Sequence, residues 1–212
     1  MQPDRRHMVL GTLSFAVLAH ACGSVANEGD GDTGSGIDGD LSPEEQRRLR
    51  RARRNKRVEI DQQIDSTIAY MLDAIPRTED YIARSLGMLV IPTVTKVGFF
   101  VGGSGGEGGL RINGETVGYY SAAEASLGLQ VGVGQYSHVL FFMTEAALHK
   151  FRTSRGWALG TEVGGAMLTE SDFVGTSTIT RRAEVIGLNF GGQGAIVGAS
   201  ARGMKYTRLE DY

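Results

Sequence analysis

Apolar residues recur along the chain in two rhythms, and the point where one gives way to the other divides it. Ile60, Ile64, Ile68, Met71, Leu72 and Ile75 follow one another at spacings of three and four, the stripe of a helix laid on a core. Ser42-Pro43-Glu44-Glu45 supplies the start of that helix: a side-chain cap, proline at the first helical position, and carboxylates at the positive end of the dipole. Pro76 ends it. A second, short helix is predicted over Thr78 to Leu86, leading into Met88 to Pro92. From there the pattern is strand-like: Val97 to Gly103, Gly109 to Ile112, Glu115 to Tyr120 and Leu127 to Gly134 are expected as successive strands, with Asn113-Gly114 a two-residue hairpin signal. In Leu127 to Gly134 one face is apolar and the other largely glycine, which suits a curved sheet or the close approach of another backbone. Val139 to Met143 is a buried strand, Thr144 caps a short helix through Arg152, and Trp157 to Leu168, Thr176 to Phe190 and Ala195 to Leu209 supply more strands. The expected class is α+β, an antiparallel β-barrel-like core with a long N-terminal helix and short helices packed outside.

The first residues follow neither rhythm. Arg5, Arg6 and His7 precede an apolar run from Met8 to Ala19, then Ala19-His20-Ala21 and Cys22, the layout of a secretory signal over residues 1–21. The run is too short to cross a hydrocarbon core of about 30 Å, which takes about 20 helical residues. Cys22 is the chain's one cysteine, which excludes an internal disulfide, and it stands where a bacterial lipoprotein carries its lipid. The likeness to a lipobox is partial, because Leu18 lies four residues before the cysteine where such boxes have leucine three before. Lipidation at Cys22 and ordinary cleavage beside it are both open; either reading exports the protein, to the periplasm or outer membrane. Residues 22–41 are Gly, Asp, Ser and Thr with almost nothing apolar, an acidic tether that cannot repay its ordering entropy. Its aspartates, Asp30, Asp32, Asp38 and Asp40, do not make a calcium loop, since Gly34 and Ser35 occupy the positions of the third ligand and the turn glycine.

With 212 residues, 41% of them hydrophobic, the chain has material for one well-buried domain, placed at 58–212. The formal charge of -2 conceals an uneven layout. Residues 42–57 form a polybasic arm carrying Arg47, Arg48, Arg50, Arg51, Arg53, Arg54, Lys56 and Arg57, whereas the domain from Val58 onward has 12 basic residues against 16 acidic. Two readings of the arm stand: a solvated helix end with Glu44 and Glu45 paired to Arg48 and its neighbours, or attraction to anionic lipid, worth up to about 1 kcal/mol per cation at a charged bilayer. Nucleic acid is not an expected partner, because the helix lacks interleaved aromatics to stack bases and the chain carries an export signal.

Two motifs in Gly102 to Gly108 are matched in letters alone. Gly103-Ser104-Gly105-Gly106-Glu107-Gly108 spells GxGxxG, but a dinucleotide fingerprint opens a helix and this run leads into a hairpin. Gly102 to Gly106 spells GxSxG without the strand-to-helix elbow a nucleophilic serine needs. The run is expected to be a mobile hairpin tip or, functionally, a glycine-rich lip touching lipid, and His138 and His149 to be structural or exposed. No HExxH, paired-cysteine or clustered-histidine pattern offers a metal site, and no cofactor or catalytic residue is expected.

Several blocks carry a resemblance. Ile91 to Gly98, Val101 to Gly109, Val117-Gly118-Tyr119-Tyr120, Ser126 to Gly132, Leu140 to Thr144, Gly156 to Gly160 and Gly203 to Thr207 together resemble the SYLF domain family, also called Ysc84-like, in order and spacing from about Ile60 to Leu209. The resemblance implies a non-catalytic lipid-binding module, with phosphoinositide binding in eukaryotic members, and a β-barrel core with helices on its surface. Lys96 and Lys205 fall in family blocks; the arm and the spacer lie outside them. Phosphate headgroups need Lys or Arg on a shared surface. The candidate lipid-binding cations are therefore Lys96, Arg111, Lys150, Arg152, Arg155, Arg202, Lys205 and Arg208, acting as a local patch. The alternative is a structural or protein-binding envelope protein that uses the glycine-lined sheet face.

Overall fold

A computed structural model describes residues 41–98, 101–127, 132–159, 164–169, 183–194 and 204–210, all within one unit, Leu41–Tyr212. The signal segment, Cys22, the acidic spacer up to Asp40 and Arg202 lie outside the described residues.

The long helix α1 spans Pro43–Ala74. Its start is the capping box expected of its sequence: the Glu45 N–H donates to Ser42 Oγ at 3.4 Å, and the Ser42 N–H donates to Glu45 Oε2 at 2.9 Å. Its buried residues are Ile60, Ile64 and Met71, so no residue of its N-terminal half is buried. The short helix α2, Thr78–Arg84, follows a left-handed Arg77 and is pinned by Thr78, whose hydroxyl donates to the Ile75 carbonyl at 2.9 Å.

Eight strands follow: β1 (Gly87–Gly98), β2 (Val101–Ile112), β3 (Glu115–Leu127), β4 (Gly132–Phe142), β5 (Trp157–Ala158), β6 (Gly165–Thr169), β7 (Val185–Gly194) and β8 (Lys205–Arg208). Helix α3, Glu145–Thr153, intervenes between β4 and β5, with Thr144 as its cap. The strand order is β5-β8-β3-β2-β1-β4-β7-β6, and every pairing is antiparallel except β6 with β7. Asn113 and Gly114 both have positive φ, at 51° and 84°, which makes the β2–β3 connection the primed turn their sequence favours.

The sheet is bent by a bulge in β1. Val90 pairs with Gly109 and Thr95 with Gly105, so Ile91-Pro92-Thr93-Val94 stands opposite only Gly106, Glu107 and Gly108. The extra residue accommodates Pro92, which has no N–H for the ladder, and the Ser137 hydroxyl donates to the Pro92 carbonyl at 2.8 Å. Across the bulge the backbones come so close that a Cβ on Gly106 would meet the Thr93 carbonyl oxygen, and one on Gly108 the Val90 carbonyl oxygen.

This corrects the expected strand limits. The glycine run is the body of β2 and not a hairpin tip, and the strand expected over Val97 to Gly103 is divided between the end of β1 and the start of β2. The stretch Leu127 to Gly134 likewise begins at the end of β3 and finishes in β4, and Trp157 to Leu168 holds two separate strands. Glycine has no side chain to alternate, so its run carried no strand rhythm; the demand for it comes from the β1 backbone opposite.

Each face of the sheet has its own core. Leu89, Ile91, Leu110, Tyr120, Leu140, Phe142, Val185 and Tyr206 pack with Ala147, Leu148 and Phe151 of α3 and with Trp157. Tyr206 of β8 reaches His138 of β4, four places away in strand order, so this face is the concave one. Met88, Val90, Val139, Phe141, Ile186, Leu188 and Phe190 pack instead beneath Ile60, Ile64, Met71, Ile75 and Tyr81 on the convex face. Coverage on both faces explains the unbroken apolar runs of β1 and β4.

Candidate functional site

Arg152 lies in the last turn of α3, Arg155 in the turn that follows, and Arg208 at the end of β8. The three line one open cleft of about 740 Å³, with Thr153, Ser154, Thr207, Leu209 and Glu210. Arg208, Leu209 and Glu210 also line an adjoining cleft of about 380 Å³, whose other wall is Arg57 and Thr116 to Tyr119. Two local features fix these positions. The Leu209 N–H donates to the Tyr119 carbonyl at 2.9 Å, extending the β3–β8 ladder past Arg208. The Ala147 N–H donates to Thr144 Oγ1 at 3.3 Å and anchors the start of α3. Arg208 and Arg152 act on the same phenol: burial raises the Tyr120 pKa, and both guanidinium groups oppose the rise. Glu210 is the one acid lining either cleft among the described residues. Exposed Lys205 borders the site, its side chain lying where a Cβ on Gly156 would be.

The remaining candidate cations are placed elsewhere or differently. Arg111 is held by α1: its Nη2 lies 2.6 Å from Asp65 Oδ1 and 3.9 Å from Asp61 Oδ1, and its Nη1 donates to the Gly114 carbonyl at 2.7 Å. Lys96 is on the concave face and only 8% exposed. Lys150 is exposed on α3. In the arm, Arg47, Arg48, Arg50, Arg51, Arg54 and Arg57 are exposed, Arg53 is half-buried, and Lys56 pairs with Glu107 at 3.4 Å. The structure thus brings Arg152, Arg155 and Arg208 to one cleft and Arg57 to the adjoining one, places Lys96 on the concave face, and ties Arg111 to the aspartates of α1.

A second polar group was not singled out from the sequence. His138, wholly buried, lies with Nδ1 2.6 Å from Asn189 Oδ1 and Nε2 2.6 Å from the Tyr206 hydroxyl. The amide oxygen only accepts, so Nδ1 carries the proton and Nε2 accepts from Tyr206. Burial holds the imidazole neutral, its pKa lowered to about 4, and lifts the Tyr206 phenol well above its usual range. Nearby, burial pushes the Tyr136 phenol up to about 12, and the Ser104 hydroxyl donates to Glu124 Oε2 at 3.3 Å. The alternation of Tyr136, His138, Leu140 and Phe142 foretells a shared buried face; nothing local names Asn189 or Tyr206 as partners. Ser104 sits within β2, not at a strand-to-helix turn, and both His138 nitrogens are engaged by other residues.

No family model and no curated protein matches the chain. Among the described residues no helix is long and apolar enough to cross a membrane.

Proposed function

We propose that the protein is a non-catalytic lipid-binding protein of the cell envelope, exported through its N-terminal segment and recognising anionic phospholipid headgroups at the Arg152–Arg155–Arg208 cleft. The observation that carries this reading is the convergence of three arginines, from α3, its following turn and β8, on one open cleft, with Arg57 bringing the base of the polybasic arm to the adjoining one. Guanidinium groups match phosphate oxygens in pairs, and among the described residues a single lining acid, Glu210, stands against the arginines in a domain that is acidic as a whole. The resemblance to SYLF domains supports the same class of ligand. Lipid on Cys22, where present, would hold the cleft near a membrane surface.

The test is co-sedimentation of the purified chain with anionic and neutral vesicles over a range of salt. Binding to anionic vesicles that weakens with salt and is lost in Arg152→Glu/Arg155→Glu/Arg208→Glu is the expected result. Binding untouched by that triple change removes the cleft from the account. No binding by the wild type sinks lipid recognition and favours a protein-binding envelope role, for which the exposed cross-strand pair Val97 and Val133 offers an apolar contact.

A further inference from the structure

Lys96, Ser104 and Glu124 form one cross-strand row on the concave face, Lys96 of β1 opposite Ser104 of β2 and Ser104 opposite Glu124 of β3. Two ladder spacings, about 10 Å, separate the two charged positions. They do not meet: the Glu124 carboxylate accepts from Ser104 at 3.3 Å, and among the described residues Lys96 has no acid within ion-pair distance although it is 8% exposed. On the other side of Lys96 the row continues to Gly134 of β4, so that strand puts no side chain beside it. The next concave-face residue of β4 is Tyr136, also 8% exposed, whose shielded hydroxyl has the Ser104 hydroxyl beside it but makes no hydrogen bond of ordinary geometry among the described residues. Leaving such groups unpaired is costly. His138 and Tyr206, deeper on the same face, are already bonded to each other and to Asn189, and offer Lys96 and Tyr136 no relief.

We propose that this end of the concave face binds a small zwitterion, its anionic oxygens against the Lys96 ammonium and the Tyr136 hydroxyl and its ammonium toward Glu124. The charge layout selects that class. A simple anion would satisfy Lys96 but face Glu124, a simple cation would do the reverse, and water would pair Tyr136 while neutralising neither charge. Val94 of β1 pairs with Tyr136 and Lys96 with Gly134, so Tyr136 stands one same-face step along the sheet from the Lys96 row. The shared chemistry, an ammonium beside a carboxylate or phosphate, is offered by a free amino acid and by a phosphoethanolamine headgroup.

The experiment is thermal unfolding and titration calorimetry of the full chain in an Arg152→Gln/Arg155→Gln/Arg208→Gln background, chosen to take the basic cleft out of phosphate binding. The probes are glycine, O-phosphoethanolamine, acetate and methylammonium. A zwitterion is expected to raise Tm where acetate and methylammonium at equal concentration do not, and whichever zwitterion acts identifies the source. Lys96→Met and Glu124→Gln each lower its affinity at least tenfold, while Tyr136→Phe weakens binding yet raises the Tm of the ligand-free protein by removing an unpaired hydroxyl. Glu124→Gln and Tyr136→Phe are mild enough to keep the test alive should Lys96→Met not fold. The proposal is overturned by no response to either zwitterion, by an equal response to acetate, or by a response that survives Glu124→Gln.

Discussion

The central strands β1, β2 and β4 and the β8–α3 edge are built for opposite ends. In the centre both faces are covered, backbones touch across glycine, and even a cation such as Arg111 is tied to two aspartates of α1. At the β8–α3 end, Arg152, Arg155 and Arg208 border open space with one acid, Glu210, among the described residues that line it. Arg111 and Arg208 are alike as residues in strands; their neighbours decide that one holds the fold together and the other is available to a ligand. Stability and binding therefore belong to different regions, and substitutions should separate them.

The largest effect is expected at the bulge. Gly108→Ala would drive a methyl group into the Val90 carbonyl oxygen and lower stability by about 3–4 kcal/mol in denaturant unfolding, with the vesicle affinity of the folded fraction unchanged. An alanine variant as stable as the wild type would refute the close approach of β1 and β2.

Next comes acid. The His138 pKa is lowered from 6.5 to about 4, so its contribution is complete above pH 6.5 and is lost as pH falls from 6.5 toward 4, by about 3 kcal/mol in all. The neighbouring Tyr136 and Tyr206 phenols stay protonated through this range, since both are shifted upward. Unfolding free energies measured across that window should fall in the wild type and flatten in His138→Gln. Equal slopes in the two proteins would assign the acid sensitivity to other groups.

At the edge the consequence appears in binding. Arg152→Glu/Arg208→Glu should weaken association with anionic vesicles at least tenfold, about 1.4 kcal/mol, with little change in Tm. Arg111→Gln should do the reverse, lowering Tm and leaving affinity within about twofold. Identical losses of affinity from both would erase the distinction between the two regions.

The smallest effect is expected at Ser42→Ala, which removes the capping box and costs about 1 kcal/mol in the first turn of α1. Amide exchange there should quicken while the midpoint of global unfolding stays in place, because no residue of that half of α1 is buried.

Much of the fold was legible because its causes are local. Ser42 to Glu45 and Pro76 bound the first helix, Thr144 starts the third, and Asn113-Gly114 closes a hairpin, each through contacts a few residues long. The continuous apolar run Val139 to Met143 announced the buried strand β4, whereas β1, which begins at Gly87, was expected to turn strand-like only after Pro92. The glycine run misled because a strand without side chains has no rhythm, and its reason for being glycine lies on another strand.

The candidate site was legible only as a set of cations. Sequence supplied Arg57, Arg152, Arg155 and Arg208 together with Lys96 and Arg111, and could not sort them, since sorting depends on which acids and which open space the fold brings near each. His138 and Tyr206 are 68 residues apart and meet only because the sheet curls. The sequence by itself determined helix ends, one turn and the burial of the strand around Val139 to Met143, since capping, turn chemistry and an apolar run act between near neighbours. The tertiary structure alone decided the bulge, the arginine cleft and the concave polar row, because strand order and sheet curvature set distances between residues that no local energy relates.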